Sequence, residues 1–222
     1  MSLVNTIIFD FDGLLADSEP IYLECNKKYL SDIGISNFSI EDKLFGMRAE
    51  EAFQIIKENY DLKQDINEMI AKRNAYMIED FENGKLKLMP YALETIKELS
   101  KKYTIAIGSS SQKVLLDSAL RIYNIRDFFE TIVCGDDVEK GKPEPDIYLK
   151  VAENIKKEPS YCVVIEDSPH GITSGKKAGM KTVAIPNKYT KKLKFLTEPD
   201  YIINSLNELE NIMIGVNGIK NG

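Results

Sequence analysis

Short apolar runs that close on small or acidic residues recur along the chain, at 6–10, 104–109, 131–136, 162–167 and 182–186, with a weaker sixth at 201–204. The runs are continuous rather than alternating, which predicts strands covered on both faces. Between the later runs apolar residues return at helical spacing: Leu93, Ile96 and Leu99, then Val114, Leu115, Ala119 and Ile122, then Ile147, Leu149, Val151 and Ala152. Strand and helix therefore alternate. That order predicts an α/β fold, a doubly wound parallel (Rossmann-like) sheet whose ligand site lies at the C-terminal ends of the strands.

The stretch 17–85 breaks the rhythm. It holds no strand-like run and predicts amphipathic helices over 21–33, 49–60 and 66–81, with Gly34, Gly46 and Gly84 as breakers. Tyr29, Phe53, Tyr60 and Tyr76 fall at helical spacing there and predict a small core of its own. The expected organisation is a core domain of residues 1–16 and 86–222, interrupted by an all-helical cap domain, 17–85. Placed directly after the first strand, such an insert sits over the sheet's C-terminal edge as a lid.

Composition narrows the function classes. With 43% hydrophobic and 29% charged residues in 222, the chain can bury a real core. Its net charge of −6, without a polybasic run, excludes nucleic acid as a partner. No stretch approaches the roughly 18 apolar residues of a membrane span, so no membrane role is expected. Cys25, Cys134 and Cys162 are too scattered for a disulfide framework or a zinc knuckle. They predict buried small hydrophobes in a reducing, cytoplasmic setting. A monomer or weak homo-oligomer is expected.

Four segments carry candidate chemistry. In Asp10-Phe11-Asp12-Gly13, two carboxylates at i and i+2 share one side of an extended strand end. Their mutual repulsion calls for a divalent cation; otherwise the segment is a strand entering an Asp-Gly turn. Ile107-Gly108-Ser109-Ser110-Ser111 joins a strand to a helix and offers hydroxyls and backbone N–H groups to an anion, or simple N-capping by Ser110 or Ser111. Lys142 lies in Gly141-Lys142-Pro143-Glu144-Pro145-Asp146, either as a fixed point charge for a phosphoryl oxygen or an aspartate, or as a solvated lysine. Glu166-Asp167-Ser168 brings oxygen ligands suited to magnesium to a strand end, or caps the helix beginning at Pro169. His170, the only histidine, is expected at the surface.

Taken in order, Asp10-x-Asp12-Gly13, Ser109, Lys142 within Gly-Lys-Pro-x-Pro-Asp, and Glu166-Asp167-Ser168 followed by Gly171 and Ala178-Gly179-Met180 resemble the four motifs of the haloacid-dehalogenase-like superfamily. The helical insert after the first motif is similar to that of the subgroup with β-phosphoglucomutase, pseudouridine-5′-phosphatase and sugar-phosphate phosphatases. The resemblance implies that Asp10 is the nucleophile forming an aspartyl-phosphate and Asp12 the general acid and base. It implies Mg²⁺ held by Asp10, the Asp12 carbonyl and Asp167, with Glu166 a ligand through water or a support. Ser109, with Ser110 beside it, and Lys142 would bind the transferring oxygens.

The expected reaction is hydrolysis of a small phosphorylated metabolite, of sugar-phosphate or nucleoside-monophosphate type. A β-phosphoglucomutase-type reaction is the alternative. Against it, Tyr22 stands where those mutases carry a histidine ten residues beyond the acid/base aspartate. Ala49, three residues after Gly46, stands where they carry a phosphate-binding arginine, with Arg48 one step earlier. The intact set Asp10, Asp12, Ser109, Lys142 and Asp167 argues against a third reading, a non-catalytic ligand-binding protein of this fold. In the insert, Gly46 and Arg48 are the expected specificity contacts. Glu19 either touches the leaving group or caps the first insert helix.

Overall fold

The computed structural model describes residues 3–36 and 48–216; Gly46 lies outside the described residues. Six parallel strands form one sheet: β1 (Thr6–Phe9), β2 (Thr104–Gly108), β3 (Ile132–Val133), β4 (Cys162–Glu166), β5 (Lys181–Ala184) and β6 (Tyr201–Ile202), in the spatial order β3-β2-β1-β4-β5-β6. The chain runs outward from β1 to β3, then returns to start again at β4 on the other side of β1. The switch point therefore falls between β1 and β4, where a crevice opens outside the strand ends. Register pairs Phe9 with Ile107 on one side and Ile165 on the other, so Asp10 and Glu166 emerge side by side.

Alternation along the strands sorts the two faces. Ile7, Phe9, Ile105, Ile107, Val163 and Ile165 pack with α4 (Ala92–Leu99), α5 (Lys113–Tyr123) and α8 (Leu209–Val216). Ile8, Ala106, Val133 and Val164 face α6 (Asp146–Asn154) and the Ala178 to Met180 segment that follows α7 (Pro169–Lys177). Both faces are thus apolar, which is why the strands read as continuous hydrophobic runs. The helical stripes differ in detail from the expected ones. α5 buries Leu115, Leu116, Ala119 and Leu120, leaving Val114 and Ile122 exposed at the stripe's edges, and α6 buries Tyr148 while Leu149 faces solvent. The third apolar run yields only two strand residues, because Gly135–Asp137 turns into a 3₁₀ segment closed by the Asp137 carboxylate on Cys134 N.

The insert consists, in its described part, of α1 (Glu19–Asp32), α2 (Ala49–Asn59) and α3 (Ile66–Glu82). Tyr29, Leu30, Phe53, Ile56, Met69 and Ile70 form its own small core, with Tyr60 and Tyr76 packed at the edge. Ile21, Cys25, Met77 and Phe81 join the main core instead, so α1 and α3 are anchored to the sheet domain along one flank. All three cysteines are buried and unpaired. Among the described residues no helix is long and apolar enough to cross a membrane.

Candidate active site

The end of β1 places Asp10 at the bottom of the crevice, its backbone N–H donating to Ile165 O of β4. The chain then closes a tight loop: Leu15 N and Ala16 N both donate to Phe11 O, and Gly13 N donates to Ala16 O. Gly13 has φ +78, and a Cβ there would lie 2.7 Å from both Asn187 Nδ2 and Asp167 Oδ2. Only glycine meets both conditions.

Lys142 is the electrostatic centre. Its side chain is 6% exposed, and Nζ lies 2.6 Å from Asp10 Oδ1 and 2.6 Å from Glu166 Oε1. The "solvated lysine" alternative is thereby excluded. Burial alone would strip its proton, but the two carboxylates outweigh burial and hold it charged well above the usual lysine range. Glu166 is held just as firmly. Its Oε1 also accepts from Tyr148 OH (2.8 Å), and its Oε2 accepts from Asp167 N, Ser168 N and Ser168 Oγ at 3.0–3.1 Å. Burial would raise its pKa, but Lys142 and these donors hold it below the carboxylate range. The Ser168 hydroxyl also accepts from Gly171 N, capping α7.

Asp10 and Asp167 are in the opposite state. Burial, opposed by Lys142, and the neighbouring carboxylates Glu166 and Asp12 push the Asp10 carboxyl up to about 8. Burial first, then Glu166 and Asp10, raises Asp167 well above its ordinary value. Asp167 Oδ2 accepts from Asn187 Nδ2 at 2.7 Å. Asp10 Oδ2 and Asp167 Oδ1 accept no hydrogen bond among the described residues. One carboxylate oxygen from each of Asp10, Glu166 and Asp167 lies within 4.8 Å of the others, a spacing that a hard cation can bridge.

Asp12 faces a ring of hydroxyls. Its Oδ1 accepts from Ser18 Oγ (2.6 Å), and its Oδ2 from Ser109 Oγ (3.2 Å) and Ser111 Oγ (2.5 Å). Tyr22 OH shares a 2.7 Å hydrogen bond with Ser111 Oγ, so the insert reaches Asp12 through one intervening hydroxyl. Ser109 is fully buried and is turned to Asp12, while Ser110 and Ser111 line the cavity. Neither Ser110 nor Ser111 caps α5; Gln112 occupies that position.

Over this floor the insert closes a cavity of about 480 Å³, whose walls include Glu19, Tyr22, Asn26 and Arg73 above Asp10, Asp12 and Lys142. Glu19 points into it rather than capping α1, and burial, with Asp12 and Asp17 nearby, pushes its carboxyl up to about 7. Arg48 goes elsewhere. Its guanidinium donates to Gly135 O (2.7 Å) and Glu139 O (3.1 Å), latching the start of α2 to the loops beyond β3. His170 is exposed at the cavity's mouth.

Three residues of the site had no sequence signal beyond composition. Tyr148 and Arg73 read as ordinary helix positions, and only the tertiary packing buries them beneath Glu166 and over Tyr22. Asn187 follows Pro186 as a turn former. Its Oδ1 accepts from Tyr189 N and Thr190 N, which turns its amide toward Gly13 O and Asp167.

Gly171 is where this network is most easily broken. A Cβ on it would fall 1.7 Å from Glu166 Oε1, inside the carboxylate itself. Gly171→Ala is expected to displace Glu166, costing about 2 kcal/mol in urea unfolding together with most of any activity the cluster supports. A variant as stable and active as wild type would contradict this geometry.

A two-sided parallel sheet with a carboxylate–lysine–carboxylate cluster at its switch point, roofed by inserted helices, can hold an anionic group between a carboxylate and an ammonium. The comparisons agree. The family model of haloacid dehalogenase-like hydrolases matches residues 7–185, and the chain belongs to that family. It is 31% identical to the phosphorylated carbohydrates phosphatase of Thermotoga maritima over 81% of this chain and 84% of that one. It is 33% identical to the bifunctional riboflavin kinase/FMN phosphatase of Arabidopsis thaliana over 92% of this chain, and spans about half (54%) of that longer protein. In fold it resembles CbbY from Rhodobacter sphaeroides, with a TM-score of 0.86 at 23% identity over 93% of this chain and 96% of that one.

Proposed function

We propose that the protein is a Mg²⁺-dependent phosphatase that hydrolyses a small phosphorylated metabolite, a sugar phosphate or nucleoside monophosphate, through an aspartyl-phosphate on Asp10. The observation that carries this reading is the buried cluster in which Lys142 Nζ bridges Asp10 and Glu166 at 2.6 Å at the floor of the cavity. In the first step an Asp10 oxygen forms a bond to phosphorus and the bond to the leaving oxygen breaks, with Asp12 giving that oxygen a proton. In the second, water adds to phosphorus, Asp12 takes its proton, and the Asp10–phosphorus bond breaks. Lys142 and the donors of Ser110 neutralise charge on the transferring oxygens, while Ser109 and Ser111 act on Asp12 by orienting its carboxylate.

The donor set fits a hard cation. Two carboxylates that burial drives toward neutrality, each with an oxygen free of hydrogen bonds among the described residues, gain most from a divalent charge. Asp10 and Asp167 would hold it, with the Asp12 carbonyl. Both oxygens of Glu166 are engaged by protein donors, so its part is to position Lys142 and the Asp167 loop. When bound, Mg²⁺ supplies Lewis-acid polarisation and charge neutralisation of the phosphoryl group. Tyr22 and Ala49, in place of the mutase residues, favour water as acceptor over a sugar hydroxyl.

The test is phosphate release from p-nitrophenyl phosphate and from a panel of sugar phosphates and nucleoside monophosphates, with and without EDTA. Turnover that Mg²⁺ restores and EDTA abolishes is expected. Metal-independent release would defeat the reading, and conversion of β-glucose 1-phosphate to its isomer rather than to free glucose would favour the mutase.

A further inference from the structure

The cavity is much larger than the group on which its floor acts. A phosphoryl group seated against Lys142 fills only part of about 480 Å³, a volume in the range that encloses a whole small-molecule ligand. Most of the fit is therefore made with the leaving group. One wall that this group meets comes from the sheet domain rather than the insert: the segment after β5 contributes Asn187, Tyr189, Leu193 and Leu196. Of the large apolar side chains exposed among the described residues, Leu193 (50% exposed) and Leu196 (84%) are the two that line this cavity. A lone exposed leucine needs no explanation, but two on the rim of a catalytic cavity do.

The segment that carries them is braced. Lys191 N donates to Asn187 O and Leu193 N to Thr190 O, while the Thr173 hydroxyl of α7 donates to that of Thr197. The Asn187 side chain joins the same turn to Gly13 O and Asp167, at the floor of the site. The leucines are thus presented to the cavity from a base tied to the catalytic residues. Leu23 of α1 and Pro169 at the start of α7 add apolar surface to the same cavity.

We propose that Leu193 and Leu196 form the subsite for a flat, apolar end of the leaving group, so that the enzyme takes a nucleoside monophosphate in preference to a sugar phosphate. The phosphoryl end of this substrate rests on the phosphatase reading. A heteroaromatic base has apolar faces and keeps its polar atoms at its edge, so it covers leucine methyl groups without stranding a hydrogen-bonding group. A sugar phosphate carries hydroxyls around its ring. Laid on the same methyl groups, it would give up water from those hydroxyls with no partner in return. A compact sugar that stopped short would leave both leucines in water.

Calorimetric binding to Asp10→Asn in Mg²⁺ tests this without turnover. The probes are ribose 5-phosphate, uridine 5′-monophosphate and adenosine 5′-monophosphate, which share a phosphorylated ribose and differ in the base. At least one nucleotide is expected to bind about 10- to 100-fold tighter than ribose 5-phosphate, with the more negative heat-capacity change that marks apolar burial. Adding Leu193→Ser and Leu196→Ser together is expected to reduce that advantage to less than about threefold. Adding Leu149→Ser instead, at an exposed leucine of α6 outside the cavity, is expected to keep it. Equal affinities of the three probes, or an advantage that survives the paired leucine substitutions, would overturn the proposal. So would paired substitutions that alter the protein's association state and leave nucleotide affinity unchanged, since the leucines would then belong to a contact between copies. Should the substituted protein fail to fold, the three-probe comparison decides alone. Failure of the phosphatase reading is seen separately, as phosphate release from these compounds that does not depend on Asp10.

Discussion

Asp10→Asn folds and does not turn over: kcat/KM for any monoester is expected to fall by about 10⁴- to 10⁶-fold, because an amide oxygen is too poor a nucleophile to form the acyl-phosphate. Loss of activity alone would not separate chemistry from collapse, so the stability of the same variant is the second readout. The Asp10 carboxyl is pushed from 3.8 to about 8 by burial, with Glu166 and Asp12 adding to it and Lys142 opposing. A carboxyl whose folded pKa lies above its unfolded one stabilises the fold only while protonated. Its contribution is therefore present below 3.8 and is lost progressively as pH rises to about 8. Asparagine does not titrate. In EDTA, Asp10→Asn is expected to melt at or above the wild-type temperature at neutral pH, with the gap widening from pH 5 to 8 and then levelling. If Asp10 and Asp167 hold Mg²⁺ as proposed, adding the ion is expected to raise the melting temperature of wild type and close the gap, since the ion would bind the folded carboxylates only. A variant that melts well below wild type throughout this range would mean that Asp10 serves the fold rather than the reaction.

How much of this was legible in the sequence follows from how each residue is placed. Asp10, Asp12, Glu166 and Asp167 were legible because strand ends are local: an apolar run stops, and the next side chains must stand at the edge of the sheet. The lid helices were legible for the same reason, since their periodicity is local and their predicted bounds differ from α1, α2 and α3 by a residue or two. Lys142 needed its motif, because nothing in a Gly-Lys-Pro loop says which buried carboxylates it will meet. Side-chain aim was not legible. Arg48, read as a substrate contact, turns its guanidinium to two backbone carbonyls, and Ser109, read as a phosphate donor, faces Asp12. Arg73 and Tyr148 owe their surroundings to packing between distant segments, and on a helical pattern a buried arginine looks the same as a solvated one.

Lys142→Met is the complementary experiment, and it is expected to damage stability as well as rate. The lysine is the one cation between Asp10 and Glu166, whose side chains are 9% and 1% exposed. Methionine keeps the volume and removes the charge, leaving two buried carboxylates facing each other without their shared partner. Loss of one member of a buried ionic group costs about 3–5 kcal/mol. Glu166 retains Tyr148, Ser168 and the Asp167 N–H, so the penalty falls mainly on Asp10, which escapes by taking up a proton. With Lys142 no longer opposing burial, Asp10 keeps its proton to higher pH than in wild type, and a protonated carboxyl is no nucleophile, so kcat should fall by at least about 10³-fold, and raising the pH should recover little because the fold weakens over the same range. Lys142→Arg is expected to fail as well, since a planar fork cannot put one nitrogen 2.6 Å from both oxygens in a space shaped for an ammonium. In urea, the Lys142→Met midpoint should rise when Asp10→Asn is added, because the uncompensated carboxylate is then gone. If the double variant is no more stable than Lys142→Met alone, the lysine and Asp10 are not energetically coupled, and the charge-balance account of this site fails.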